Sequence, residues 1–103
     1  MGDETNLALA VVDQQLQELE AIAKQTNDDL NAVAGQERVA KWKARTVAVL
    51  TQRVGPMVGQ EFSRANPGPS FTNDLVDEFN DEVDFYRGRL KDMYKRLQTG
   101  ATR

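Results

Sequence analysis

The carboxylates Asp74, Asp77, Glu78, Asp81, Glu82 and Asp84 are the densest group of chemically able side chains in this 103-residue sequence. Hard divalent cations take oxygen ligands, so Asp74, Asp77, Asp81 and Glu82 on adjacent helical turns compose a candidate cation site. Di-metal bundles, however, project Glu and His inward from several helices, and the chain has no histidine. Paired carboxylates can also exchange protons, but that needs a pocket that drives their pKa values apart, and no residue pattern here builds one. The plainer account is an exposed acidic face near a helix start. No catalytic residue, metal ligand or cofactor is assigned, and a non-enzymatic protein is the expectation.

Arg38, Lys41, Lys43 and Arg45 surround Trp42. Phosphate contacts plus base stacking would make this a nucleic-acid surface on a basic helix spanning 38–53, the alternative functional reading. Against it, Trp42 falls on an apolar stripe, where it would be the largest anchor of a core, with the bases pairing to acids of the first or last helix. Exposed pairs of that kind contribute only ~0–1 kcal/mol each. Gly55-Pro56-Met57-Val58-Gly59 lacks the spacing of a phosphate-binding loop. Ser63 and Ser70 have no candidate base, so nucleophilic catalysis has no support.

The charge is unevenly spread. Residues 1–29 carry seven acids and one base, and 36–54 one acid and five bases. Residues 73–86 carry six acids and no base, and 87–97 one acid and five bases. Acids early and bases late suit the macrodipole of a last helix, and the alternation favours setting acidic faces beside basic ones. The net charge of −3 argues against nucleic acid as a partner. Without cysteine, disulfides and thiolate chemistry are excluded, and a cytoplasmic location is the expectation. The longest apolar run, Leu7 to Val12, is far short of the ~20 residues a membrane span needs, and no targeting segment is read.

The elements that must position these residues are helical, and one domain over residues 1–103 is expected, with 1–5 and 99–103 frayed. Leu75, Phe79, Val83, Tyr86, Leu90, Met93 and Leu97 recur every three or four residues. At ~100° per residue they fit an arc of roughly 80°, a seam about 40 Å long for another helix. That helix spans 72–98, with Thr72 and Asn73 as caps, Gly100 closing it, and Phe71 stapled onto Leu75 or Val76. Phe85 lies roughly 80° off the seam with Tyr94 on its other side. Phe85 is either a flank of the core or an apolar handle for a partner.

A first helix, 6–25, is capped by Asn6 and buries Leu9, Val12, Leu16, Leu19 and Ala23, with Leu7, Val11 and Ile22 widening the stripe. Gln14, Gln15, Gln17, Glu18 and Glu20 form its solvated face. Thr26 to Asp29 favour local side-chain bonds and predict a break. The next helix, 36–54, buries Val39, Trp42, Thr46, Val49, Leu50 and Val54, with Leu30 to Ala34 as a separate turn before Gly35. The alternative is one helix over 29–54 that tolerates Gly35. Pro56 opens a short helix, 57–65, anchored by Phe62, and 66–71 is a stiff Pro/Gly loop. The fold class is therefore all-α: a small bundle of three long helices packed side by side, with a short one covering one end.

At Glu37-Arg38, Trp42-Lys43, Arg45-Thr46 and Leu50, then Phe62, then Tyr86 and Leu90, the chain resembles a helical N-terminal module. That module precedes TIR-like nucleotide-binding effector domains in some bacterial defence proteins. The likeness spans about residues 36–97, omits the first helix, and includes no effector domain. It implies an isolated sensing, oligomerisation or regulatory module. The expectation is thus a helical protein-interaction module that binds a protein partner or itself, without a membrane. Phe85, Tyr94, Arg38, Lys41 and Arg45 are its candidate interaction residues.

Overall fold

The computed structural model describes residues 2–69 and 71–100, with side chains described from Thr5 onward. Four helices follow in order: α1 (Gly2–Asp29), α2 (Ala32–Arg53), α3 (Pro56–Arg64) and α4 (Leu75–Thr99). Three are long and one is short, and no strand occurs among the described residues. α1, α2 and α4 lie side by side in a body of 46 × 24 × 20 Å, whose long dimension is about that of a 28-residue helix. No described helix is long and apolar enough to cross a membrane.

The core is drawn from the periodic stripes. Val12 and Leu19 of α1, Val39, Trp42 and Leu50 of α2, and Phe79, Val83, Tyr86, Leu90 and Met93 of α4 are buried together. Removing each large side chain from water contributes ~1.5–3 kcal/mol. Trp42 is the node. Its Nε1 donates to the Gln15 carbonyl of α1 at 3.0 Å, and its ring meets Phe62 of α3 and Tyr86 of α4 edge-on, both at 5.8 Å. α3 does not cover an end of the bundle, as its length suggested. It folds back antiparallel along α2, with Gly59 against Thr51 and Ala65 level with Lys43, because Phe62 must reach the Trp42 ring.

Several boundaries differ from those predicted. α1 begins four residues ahead of Asn6, so Asn6 is inside a helix and caps nothing, and residues 2–5 belong to its first turn. Met1 and residues 101–103 lie outside the described residues. The break foreseen over Thr26–Asp29 falls just after it, where Asp29 Oδ1 accepts from Asn31 N at 2.9 Å, because Thr26 and Asn27 bond to other helices instead. Thr26 is fully buried and accepts from Arg38 Nη1 at 3.1 Å. Asn27 and Asn80 exchange two amide bonds of 3.0 Å between α1 and α4. Gln15, placed on the solvated face, is only 4% exposed, since its Oε1 accepts from the Thr46 hydroxyl at 3.0 Å. Leu75, counted into the seam, is 53% exposed, so the buried seam begins at Phe79.

Leu30 to Ala34 make no separate turn. The chain reverses at Leu30, Asn31 caps α2 by accepting from Ala34 N at 3.1 Å, and the helix runs on through Gly35. A Cβ at Gly35 would lie 2.4 Å from Thr26 Cγ2 and 2.8 Å from Phe79 Cε1, so the bare α-carbon lets α1, α2 and α4 close together. Gly35→Ala gains ~1 kcal/mol of helix propensity but overpacks this contact at a cost of ~1–3 kcal/mol. Urea unfolding is expected to show a net loss of stability; a gain would mean that Thr26 and Phe79 can move aside.

Candidate functional site

The acidic turns of α4 face a cleft, and local sequence explains how. Asp74, rather than Thr72 or Asn73, is the N-cap: its Oδ1 accepts from Val76 N at 2.8 Å and Asp77 N at 3.3 Å. Phe71 therefore stands three residues ahead of the cap, too far to staple onto Leu75 or Val76, and it is 99% exposed. Gly68 takes a left-handed φ of 76° that turns the loop between Pro67 and Pro69. At its start the loop is tied to α2, where Lys43 Nζ donates to the Ala65 carbonyl at 2.6 Å and to Asn66 Oδ1 at 3.2 Å. Between loop and helix lies a cavity of about 520 Å³, lined by Gln36, Pro67, Gly68, Pro69, Phe71, Thr72, Glu78, Asp81, Glu82 and Phe85.

Glu82 is the unusual group there. Its Oε1 is buried without a hydrogen-bond donor. Desolvation raises its pKa, the nearby Glu78 charge raises it further, and Lys43 opposes both. Burial lowers the pKa of Lys43, against the attraction of Glu82. Burial and the Glu82 charge together raise that of the Tyr86 phenol, whose ring lies 5.1 Å from Lys43 Nζ. Among the described residues no group of three acids is placed to hold a metal ion. The cleft joins apolar surface to dispersed negative charge.

The basic cluster has other duties. Trp42 is fully buried and cannot stack on a base. Arg38 bonds Thr26 and pairs with Asp29 of α1 at 3.3 Å, and Arg45 stands 4.0 Å from Glu18 of α1. Lys41 is exposed and makes no ion pair. The strongest exposed pair lies elsewhere: Arg87 of α4 grips both oxygens of Glu20 of α1 at 2.5 and 2.7 Å and also bonds Asp84. The Arg87 bond holds the Glu20 carboxyl below its ordinary pKa. Phe85 and Tyr94 are both half-buried against the core. Phe85 is a core flank, edge-on to Tyr86 at 5.3 Å, with the Arg89 guanidinium 5.5 Å from its ring and one side open to the cleft.

A second surface escaped the sequence reading. Leu30, Val33 and Leu75 are 69%, 60% and 53% exposed and surround one shallow depression at the end of the bundle, where α1 turns into α2 beside the start of α4. Leu30 holds φ 54°, the left-handed conformation that usually falls to Gly or Asn behind a helix. Leu7 and Met57, also exposed, do not border this depression.

The raised pKa of Glu82 has a sign that can be tested. Folding favours its protonated form, so this contribution to stability is complete below 4.5 and is lost as pH rises through the folded midpoint. The charged form of this carboxylate is held at a cost. Glu82→Gln is expected to raise the urea midpoint at about pH 7 and to flatten the fall in stability above 4.5. Subtracting the parent profile cancels the opposite slope from Glu20. A variant less stable at neutral pH would mean that the carboxylate is favourably held.

No family model matches this chain, nor does any curated protein or solved structure.

Proposed function

We propose that this protein is a non-enzymatic helical interaction module that self-associates through the apolar end formed by Leu30, Val33 and Leu75. The observation that carries this reading is Leu30. A left-handed conformation costs an ordinary residue ~1–2 kcal/mol, and glycine would adopt it freely. With its side chain 69% in water, leucine repays the fold little for that strain. Leucine at this point makes physical sense when a second molecule covers it. Val33 and Leu75 enlarge the same face, which a two-fold partner would meet with its own copy.

Asp28, Asp29, Asp74 and Asp77 rim this end, with Arg38 and Lys24 offsetting two of them. Two copies therefore meet with like charge around an apolar centre, and added salt strengthens rather than weakens the contact. The resemblance over residues 36–97 supports a regulatory role in a cytoplasmic bacterial defence system. The neighbour expected on that reading is a gene for a nuclease, a nucleotide cyclase or an NAD-cleaving effector.

Leu30→Gly relieves the strain, and thermal unfolding is expected to rise by several degrees, equivalent to ~0.5–1 kcal/mol. Sedimentation velocity is expected to show the parent chain associating as its concentration increases, more so in salt, while Leu30→Gly and Leu75→Ser stay monomeric. A parent chain that remains strictly monomeric at high concentration would overturn self-association.

A further inference from the structure

Lys43 stands where the Pro/Gly loop leaves α3, and two groups compete for its ammonium. Its Nζ donates to the Ala65 carbonyl at 2.6 Å and to Asn66 Oδ1 at 3.2 Å, which ties the first residues of the loop to α2. The same Nζ lies 5.1 Å from the centre of the Tyr86 ring, and Tyr86 follows Glu82 by one turn of α4. No ion pair joins Lys43 to Glu82. The Oε1 of Glu82 is sealed from water and has no donor. That arrangement suits a neutral carboxyl, whose oxygen loses less than a carboxylate's by going without a partner.

Ionisation changes the balance. A carboxylate oxygen that water does not reach needs a donor from the protein, and an ammonium gains from it an attraction between full charges that a neutral carbonyl does not offer. Burial and the Glu78 charge of its own helix oppose the ionisation of Glu82, and Lys43 of α2 favours it. Asp81 borders the same cleft, and burial holds the Tyr86 phenol neutral well past the carboxyl range. The loop residues that line the cleft, Pro67, Gly68, Pro69, Phe71 and Thr72, carry no charge. Lys43 is thus the group that can answer the carboxylate, and its flexible stem lets the ammonium move while the helices stay in place.

We propose that Glu82 and Lys43 form a pH-operated latch on the start of the Pro/Gly loop. While the carboxyl is protonated, Lys43 holds Ala65 and Asn66, and the loop is fixed to α2. When the carboxyl gives its proton to solvent, Lys43 turns to Glu82 Oε1 and lets the loop go. Burial and Glu78 move the midpoint upward, so the latch is closed below 4.5 and opens as pH rises through the folded-state midpoint. The freed segment leads into Pro67, Gly68, Pro69 and Phe71, one wall of the cleft, so opening the latch widens the cleft.

The test is a ¹⁵N and ¹³C NMR titration of the full chain from about pH 4 to 8, repeated at a lower protein concentration. The Glu82 carboxyl carbon is expected to titrate with a midpoint above 4.5. The amides of Ala65, Asn66 and Gly68 are expected to shift at that same midpoint, with their ¹⁵N relaxation reporting a loss of order above it. Glu82→Gln, which does not ionise, is expected to keep the loop ordered over the whole range. Lys43→Met, which keeps an unbranched stem, is expected to leave it loose at every pH, with the amide spectrum away from the loop unchanged. The latch is overturned if the loop amides stay constant while Glu82 titrates, or if their transition persists in Glu82→Gln. It is overturned equally if Lys43→Met stays ordered, or if the midpoint moves with protein concentration, which would assign the change to association.

Discussion

Everything else in this bundle depends on the seating of one indole. Trp42 is carried by α2, bonded by its Nε1 to the backbone of α1, and flanked by a ring from α3 and a ring from α4. It is the point at which all four helices touch one side chain. Tyr86 and Phe62 also meet each other, at 5.7 Å, so three aromatic rings close a triangle around the bundle's middle. Such edge-on contacts add to simple burial and fix ring orientation. The bond to the Gln15 carbonyl adds direction, and Gln15 then reaches across to Thr46. A short helix that looked like an end cover is drawn along the bundle's flank because its phenylalanine belongs to this triangle.

How much of this was legible in the residues follows from the kind of information each position carries. Period and punctuation are local, so the four helices, Pro56 at the first position of α3, the Pro/Gly loop and Gly100 in its left-handed cap at φ 76° could all be read. So could Trp42, because a large apolar side chain on a stripe has one good place to go. Polar residues misled for the opposite reason. Thr26, Asn27 and Gln15 favour breaks or solvent in isolation, yet each has a partner far along the chain: Arg38, Asn80 and Thr46. Nothing local distinguishes a glutamine that faces water from one that will find a buried hydroxyl 31 residues away.

The surfaces were less legible still. Phe71, Leu30 and Val33 have the composition of a core, and only tertiary geometry leaves them outside. A shift of the cap from Thr72 or Asn73 to Asp74 is enough to free Phe71 from the helix it was expected to brace. The acidic face of α4 could be read as such, but the condition of Glu82 could not, since it depends on Lys43 being claimed by the loop. Of the five side chains picked out for interaction, Arg38, Arg45, Phe85 and Tyr94 each have a contact within the bundle, Phe85 with one side open to the cleft, and Lys41 stays in solvent.

The reciprocal amides of Asn27 and Asn80 have one more consequence. Apolar stripes repeating every three or four residues are nearly self-similar, so two such rods can slide past each other by a heptad and find comparable company. The amide couple admits no such ambiguity: displaced by one turn, neither carboxamide would meet its mate. Between α1 and α4 it adds a directional contact, made only in this alignment, to greasy contact that several alignments would share.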